Sequence, residues 1–223
     1  MIFENEKAYF VKKHTSNNTN TKSYDLLNNN FIFEVTFKCI RDNKLKQKEQ
    51  FVLGRVGYNM GVVIQDNNYA KFVWWETNDN GEQIYRDIFL DDIDIFDTNT
   101  IKVIKKNKEF IVYLNNMWYD SYPIEHKLYD YSDKMIYIGV ANPYCESGNY
   151  SFFNGEIIDV KIYNSSNEII DDLYLWFDFQ NNSNFKTFDK SGNGNHGELF
   201  ESNKIKLEKN MEFNKLARPA KIV

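Results

Sequence analysis

Apolar and polar residues alternate with period two along most of this chain. In the stretch Phe31-Ile32-Phe33-Glu34-Val35-Thr36-Phe37-Lys38-Cys39, residues 31, 33, 35, 37 and 39 fall on one face and Glu34, Thr36 and Lys38 on the other. The same reading predicts strands over 50–56, 61–65, 70–76, 83–90, 100–105, 109–114, 135–140, 155–163 and 173–179, with an N-terminal strand over 7–12. Between them lie turns of Asn, Asp, Ser and Gly: Asp66-Asn67-Asn68, Asn78-Asp79-Asn80-Gly81, Asn115-Asn116 and Asn164-Ser165-Ser166-Asn167. Residues 15–22 are polar and unpatterned and read as a flexible segment, while weak alternation at Ile205/Leu207 and Met211/Phe213 suggests a closing hairpin. Many strands joined by short polar turns, without helical periodicity, predict an all-β protein: a two-sheet antiparallel jelly-roll sandwich.

Composition supports that reading. The 223 residues include 18 Phe, 15 Tyr and 4 Trp, which favour pleated half-buried surfaces. A chain of this length can bury one sizeable core, so a single domain over 1–223 is expected, with about 1–25 as an edge or flexible segment and 173–223 closing the sandwich. The formal charge of −5 argues against a nucleic-acid partner, and the basic run Lys44-Leu45-Lys46-Gln47-Lys48 reads as a solvated hairpin tip. No basic segment followed by an apolar one opens the chain, and no apolar run approaches the ~18 residues that span a bilayer. Cys39 and Cys145 are too few for a disulfide framework or zinc site, and Cys39 lies in phase with the apolar face of its strand.

Three segments carry a resemblance: Phe153-Asn154-Gly155-Glu156-Ile157-Ile158-Asp159-Val160-Lys161-Ile162-Tyr163-Asn164, then Leu175-Trp176-Phe177-Asp178-Phe179, then Asp189-Lys190-Ser191-Gly192-Asn193-Gly194-Asn195-His196-Gly197. Together they resemble the laminin-G-like, concanavalin-A-type jelly-roll domains of bacterial and phage proteins. The resemblance implies a sandwich fold and a role in glycan binding or in assembly. The absence of a Sec signal from a lectin-like chain points to a virion or an extracellular surface as its place of action, with homo-oligomer or virion proteins as partners. In the common form of that family the Asp-Ser-Gly-Asn loop opens the domain, whereas here it lies near the C-terminus. A circular rearrangement and a C-terminal extension both account for that position.

Candidate chemistry falls into three groups. Asp159 is the candidate ligand of a structural calcium by resemblance, or else a surface carboxylate paired with Lys161 on the same strand face. The alternate oxygen side chains of Asp189, Ser191 and Asn193 suit either a calcium loop or an Asx-capped turn. For catalysis, the three strand-borne carboxylates of related glucanases have a partial match in Asp92, Asp94 and Asp97, which lack the glutamates and read equally as an acidic loop. For binding, sugar C–H faces stack on aromatic rings while polar neighbours take the hydroxyls. Trp118, Tyr119, Asp120 and Tyr122 after the Asn115-Asn116 turn, with Asn142 and Tyr144 in a later loop, are the candidate ligand contacts. Adjacent Trp74 and Trp75 must point to opposite faces, so one belongs to the core. The resulting expectation is a non-catalytic carbohydrate-binding or surface-docking module. A structural fibre or capsid decoration protein and a glucanase-like enzyme are its rivals.

Overall fold

The computed structural model describes residues 2–3, 7–11, 29–40, 49–55, 60–65, 69–91, 93–129, 136–140, 152–165, 173–179, 186–187, 189–193 and 197–201. Within them the strands are β1 (Ile2–Phe3), β2 (Lys7–Val11), β3 (Asn30–Cys39), β4 (Glu49–Arg55), β5 (Met60–Gln65), β6 (Tyr69–Thr77), β7 (Gln83–Leu90) and β8 (Asn99–Lys106). They continue as β9 (Glu109–Leu114), β10 (Met117–Pro123), β11 (Lys127–Leu128), β12 (Ile136–Ile138), β13 (Gly155–Ser165), β14 (Leu173–Asp178), β15 (Lys186–Thr187) and β16 (Gly197–Glu201). The protein is an antiparallel two-sheet β-sandwich. One sheet runs β1-β13-β3-β8-β9-β10, with β14 also on β13; the other runs β11-β6-β5-β4-β12-β2-β16-β15, with β7 also on β6. No helix among the described residues is long and apolar enough to cross a membrane.

The alternation expected of Phe31–Cys39 is realised. Phe31, Phe33, Val35, Phe37 and Cys39 are buried, and they pack with Ile101, Val103, Phe110, Val112, Val160 and Ile162 of the same sheet. Across the sandwich these meet Ala70, Phe72 and Trp74 of β6; the Phe72–Phe110 and Trp74–Phe110 ring centroids are each 5.0 Å apart. Trp74 is the core member of its pair and Trp75 lies on the opposite face, as strand geometry requires. The Trp74 indole N–H donates to the wholly buried Glu76 carboxylate at 2.9 Å, which gives both polar groups a partner inside the core.

Glycine in the Phe-Asn-Gly segment is explained by a close approach. A Cβ on Gly155 would stand 2.3 Å from the Lys38 carbonyl oxygen and 2.5 Å from the Phe153 ring, where β13 meets β3. Burial also holds the Cys39 thiol protonated, its pKa pushed up to about 12.

One element departs from expectation. Residues 118–122, expected from sequence to lie in a loop after the Asn115-Asn116 turn, belong to strand β10, paired along β9. Asn115 and Asn116 have φ of 51° and 66°, the left-handed pair of a two-residue hairpin whose twist matches its flanking strands. Such a turn sends the chain straight back along β9, so pairing follows despite the weak alternation of Trp-Tyr-Asp-Ser-Tyr. The flexible segment at 15–22 and the hairpin expected after Ile205 lie outside the described residues.

Candidate functional site

The motif residues build the sandwich. Asp189 Oδ1 accepts the Trp176 amide at 3.0 Å and the Ser191 amide at 2.9 Å, and Oδ2 accepts the Ser191 hydroxyl at 2.8 Å. Asn193 donates to the Leu173 and Tyr174 carbonyls, and the Lys190 amide to the Trp176 carbonyl. The loop is therefore an Asx-type clasp on β14, with Gly192 at φ 88°. Burial, and after it the nearby Asp189 charge, pushes Tyr174 up to about 12.

Asp159 accepts the Trp176 indole N–H at 2.7 Å and meets Lys161 Nζ at 2.5 Å. A calcium ion at Asp159 would have to compete with that ammonium. Lys161 also reaches Glu34, which pairs with Lys102 at 3.2 Å. Strand register sets Trp176, Lys161, Glu34, Lys102, Tyr113 and Trp118 in one row across the solvent side of this sheet. Burial of Lys161 works against its charge, but the bond and charge of Asp159 and those of Glu34 together outweigh it and raise its pKa.

The aromatic set expected around β10 is divided between faces. A bulge at Tyr119 shifts the register: Trp118 pairs with Tyr113 on the outer face, whereas Tyr122 pairs with Phe110 and packs on Trp74 at 5.4 Å. Tyr119 donates to Asp91 at 2.5 Å, a bond that holds the Asp91 carboxyl below its ordinary range. Asp120 accepts the amide of its neighbour Ser121. These four residues thus form no common stacking surface; Trp118, 62% exposed, stands out beside Met117 at 71%. Asn142 and Tyr144 lie outside the described residues.

Of the acidic trio, Asp92 lies outside the described residues. Asp94 accepts the Phe96 amide, its carbonyl accepts the Asp97 amide, and Asn99 donates to the carbonyls of Asp94 and Asp97. Residues 93–98 are a hydrogen-bonded turn, so period-two alignment of carboxylates into a cleft does not arise there. Elsewhere Glu76, Glu125 and His126 bring ligand atoms within 4.8 Å of one another. Arg86 already supplies positive charge to that group, 2.7 Å from Glu125 and 3.9 Å from Glu76.

A different face carries two partly exposed aromatic side chains, Tyr85 and Phe89. On β6 and β7, register pairs Lys71 with Phe89, Val73 with Asp87 and Trp75 with Tyr85, all on the side away from the core. Tyr69 shares their phase. Tyr85 is 39% and Phe89 48% exposed. Each is braced edge-on by a half-buried ring, Tyr85 by Trp75 at 5.3 Å and Phe89 by Tyr69 at 5.4 Å. Between the two ring pairs lies a polar centre. Lys71 Nζ bonds Glu49 at 3.0 Å and sits 5.5 Å from the centre of the Tyr85 ring. Burial opposes the Lys71 charge, yet its bonds to Tyr85 and Glu49 raise its pKa, so it stays an ammonium. Tyr85 is also raised, by burial first, against the lowering pull of Lys71 and with a further rise from Asp87. On the neighbouring strands β4 and β5, the Phe51 ring fills the space above Gly61, where a Cβ would stand 2.7 Å from it.

No protein-family model matches the chain, and no curated protein sequence matches it. Solved structures do share its fold. A protein from Bacteroides ovatus, described as a candidate carbohydrate-binding protein, superposes with a TM-score of 0.56 at 14% identity over 89% of this chain. This chain spans 58% of the length of that protein. The binding domain of botulinum neurotoxin serotype D matches with a TM-score of 0.49 at 15% identity, covering 75% of this chain and 39% of its own. The CBM40 of a Ruminococcus gnavus sialidase matches at 0.46 and 13% identity, over 66% of this chain and 80% of that one.

Proposed function

We propose that this chain is a non-catalytic carbohydrate-recognition module that binds glycan on the outer face of β6 and β7. The observation that carries this reading is the pair of braced, exposed rings, Tyr85 and Phe89, flanking the Lys71–Glu49–Asp87 centre. Rings fixed by neighbours lose little freedom when a pyranose stacks on them, and polar groups fixed between them can take hydroxyls without rearranging. The sandwich shared with the Bacteroides ovatus protein is a fold compatible with this role. The laminin-G-like and concanavalin-A-like reading rests on the Phe-Asn-Gly and Asp-Ser-Gly-Asn segments. With it goes a place on a virion or cell surface, where one weak site gains strength through repetition. Purified, labelled protein on a glycan array tests the function: a subset of glycans should retain it, with no reducing ends released from them. Folded protein that binds no glycan would overturn the reading.

A second reading, assembly into a larger structure, is favoured by Met117 and Trp118 projecting from the β10 edge of the seven-stranded sheet. Light scattering after size exclusion tests it: self-association that Trp118→Ala abolishes would favour assembly, and a monomer at high concentration would remove it.

A further inference from the structure

We infer that the β6–β7 face recognises an internal stretch of a linear, uncharged glycan, laid along β7, rather than a terminal sugar; this rests on the carbohydrate reading above. Tyr85 and Phe89 lie on one face of one strand, four residues apart, which at about 3.3 Å per residue sets their backbones ~13 Å apart. That span exceeds one pyranose ring, so a single sugar cannot stack on both. A chain running along the strand can, with one unit on Tyr85, one on Phe89 and at least one between.

The intervening unit would lie over Asp87, Lys71 and Val73. Val73 is fully buried and Lys71 nearly so, which leaves the half-buried Asp87 carboxylate as the polar side chain between the two rings that could take a hydroxyl of that unit. The site is a sheet face with rings at its two ends, which suits an entering and leaving chain rather than an enclosed end group.

The charge on this face selects against acidic sugars. Among the described side chains of β4 to β7, the charged ones on this face are Glu49, Asp87 and Lys71, two carboxylates against one ammonium. Lys71 is 5% exposed and already bonded to Glu49, so it has little positive field to offer a uronate or sialate. Asp87 repels either one.

The test is isothermal titration of the protein with cello-, xylo-, manno- and laminari-oligosaccharides of one to six units, and with oligogalacturonates of the same lengths. In the series that binds, affinity should rise about tenfold or more between the disaccharide and the tetrasaccharide, and then level off. Tyr85→Ala and Phe89→Ala should each abolish that rise, and oligogalacturonate should bind more weakly than any neutral ladder. Equal affinity for monosaccharide and hexasaccharide would overturn the inference while leaving carbohydrate recognition standing. So would preference for oligogalacturonate. Absence of binding to every ladder, with near-ultraviolet circular dichroism showing a folded protein, would overturn the inference and the parent reading together.

Discussion

Replacing Asp189 by alanine should destabilise the protein by about 2–4 kcal/mol, because this carboxylate is the common acceptor of the loop that clasps β14. It is nearly buried and accepts three hydrogen bonds, from the Trp176 amide, the Ser191 amide and the Ser191 hydroxyl. Alanine orphans the two amides, while the Ser191 hydroxyl keeps the Tyr174 carbonyl as acceptor at 3.0 Å. The part-buried Trp176 amide loses its acceptor at about 1–3 kcal/mol, and the Ser191 amide, closer to water, recovers part of its own loss. Asparagine keeps Oδ1 for both amides and turns its amide nitrogen toward a hydroxyl that can accept, so Asp189→Asn should cost about 1 kcal/mol or less. Urea unfolding of the wild type and both variants, followed by tryptophan fluorescence and extrapolated linearly to water, reads the difference. An alanine variant within ~0.5 kcal/mol of wild type would refute the clasp. An asparagine variant as damaged as alanine would show that charge, not acceptor geometry, is what the loop needs, and would reopen it as a cation site.

Two further outcomes are expected. Asp159 is engaged by Trp176 and Lys161, so a chelator should leave the melting temperature unchanged; a fall that calcium restores, absent in Asp159→Asn, would place the ion at this carboxylate. Cys39, its thiol held protonated by burial, should react with a thiol reagent at pH 8 only when the protein unfolds; in a Cys145→Ser background, rapid native-state labelling would contradict its place in the core.

The strands were legible because burial on one face imposes period two, and β3, β7, β9 and β13 begin or end within a residue or two of where alternation puts them. β10 was not, because its pairing comes from the Asn115-Asn116 turn rather than from its own pattern. Reading 118–122 as loop then grouped Trp118 with Tyr122, two residues that the Tyr119 bulge sends to opposite faces. The β6–β7 face had a signal that went unused. In Gln83-Ile84-Tyr85-Arg86-Asp87-Ile88-Phe89-Leu90 the core phase takes Ile88 and Leu90, so Tyr85 and Phe89 occupy positions where polar residues are expected. Aromatic side chains in the solvent phase of a strand are the feature to seek. What sequence could not give is which neighbours brace them, since Trp75 and Tyr69 reach them only through the register of β6 on β7.

The account turns on where glycan binds, and native electrophoresis through gels cast with β-glucan, xylan, mannan or laminarin measures that directly. The wild type should be retarded by at least one polysaccharide, and Trp118→Ala should migrate like it. The Tyr85→Ala/Phe89→Ala double variant, shown to be folded by near-ultraviolet circular dichroism, should run as if the polysaccharide were absent. Retardation kept by the double variant and lost by Trp118→Ala would contradict the account and move the site to the β10 edge.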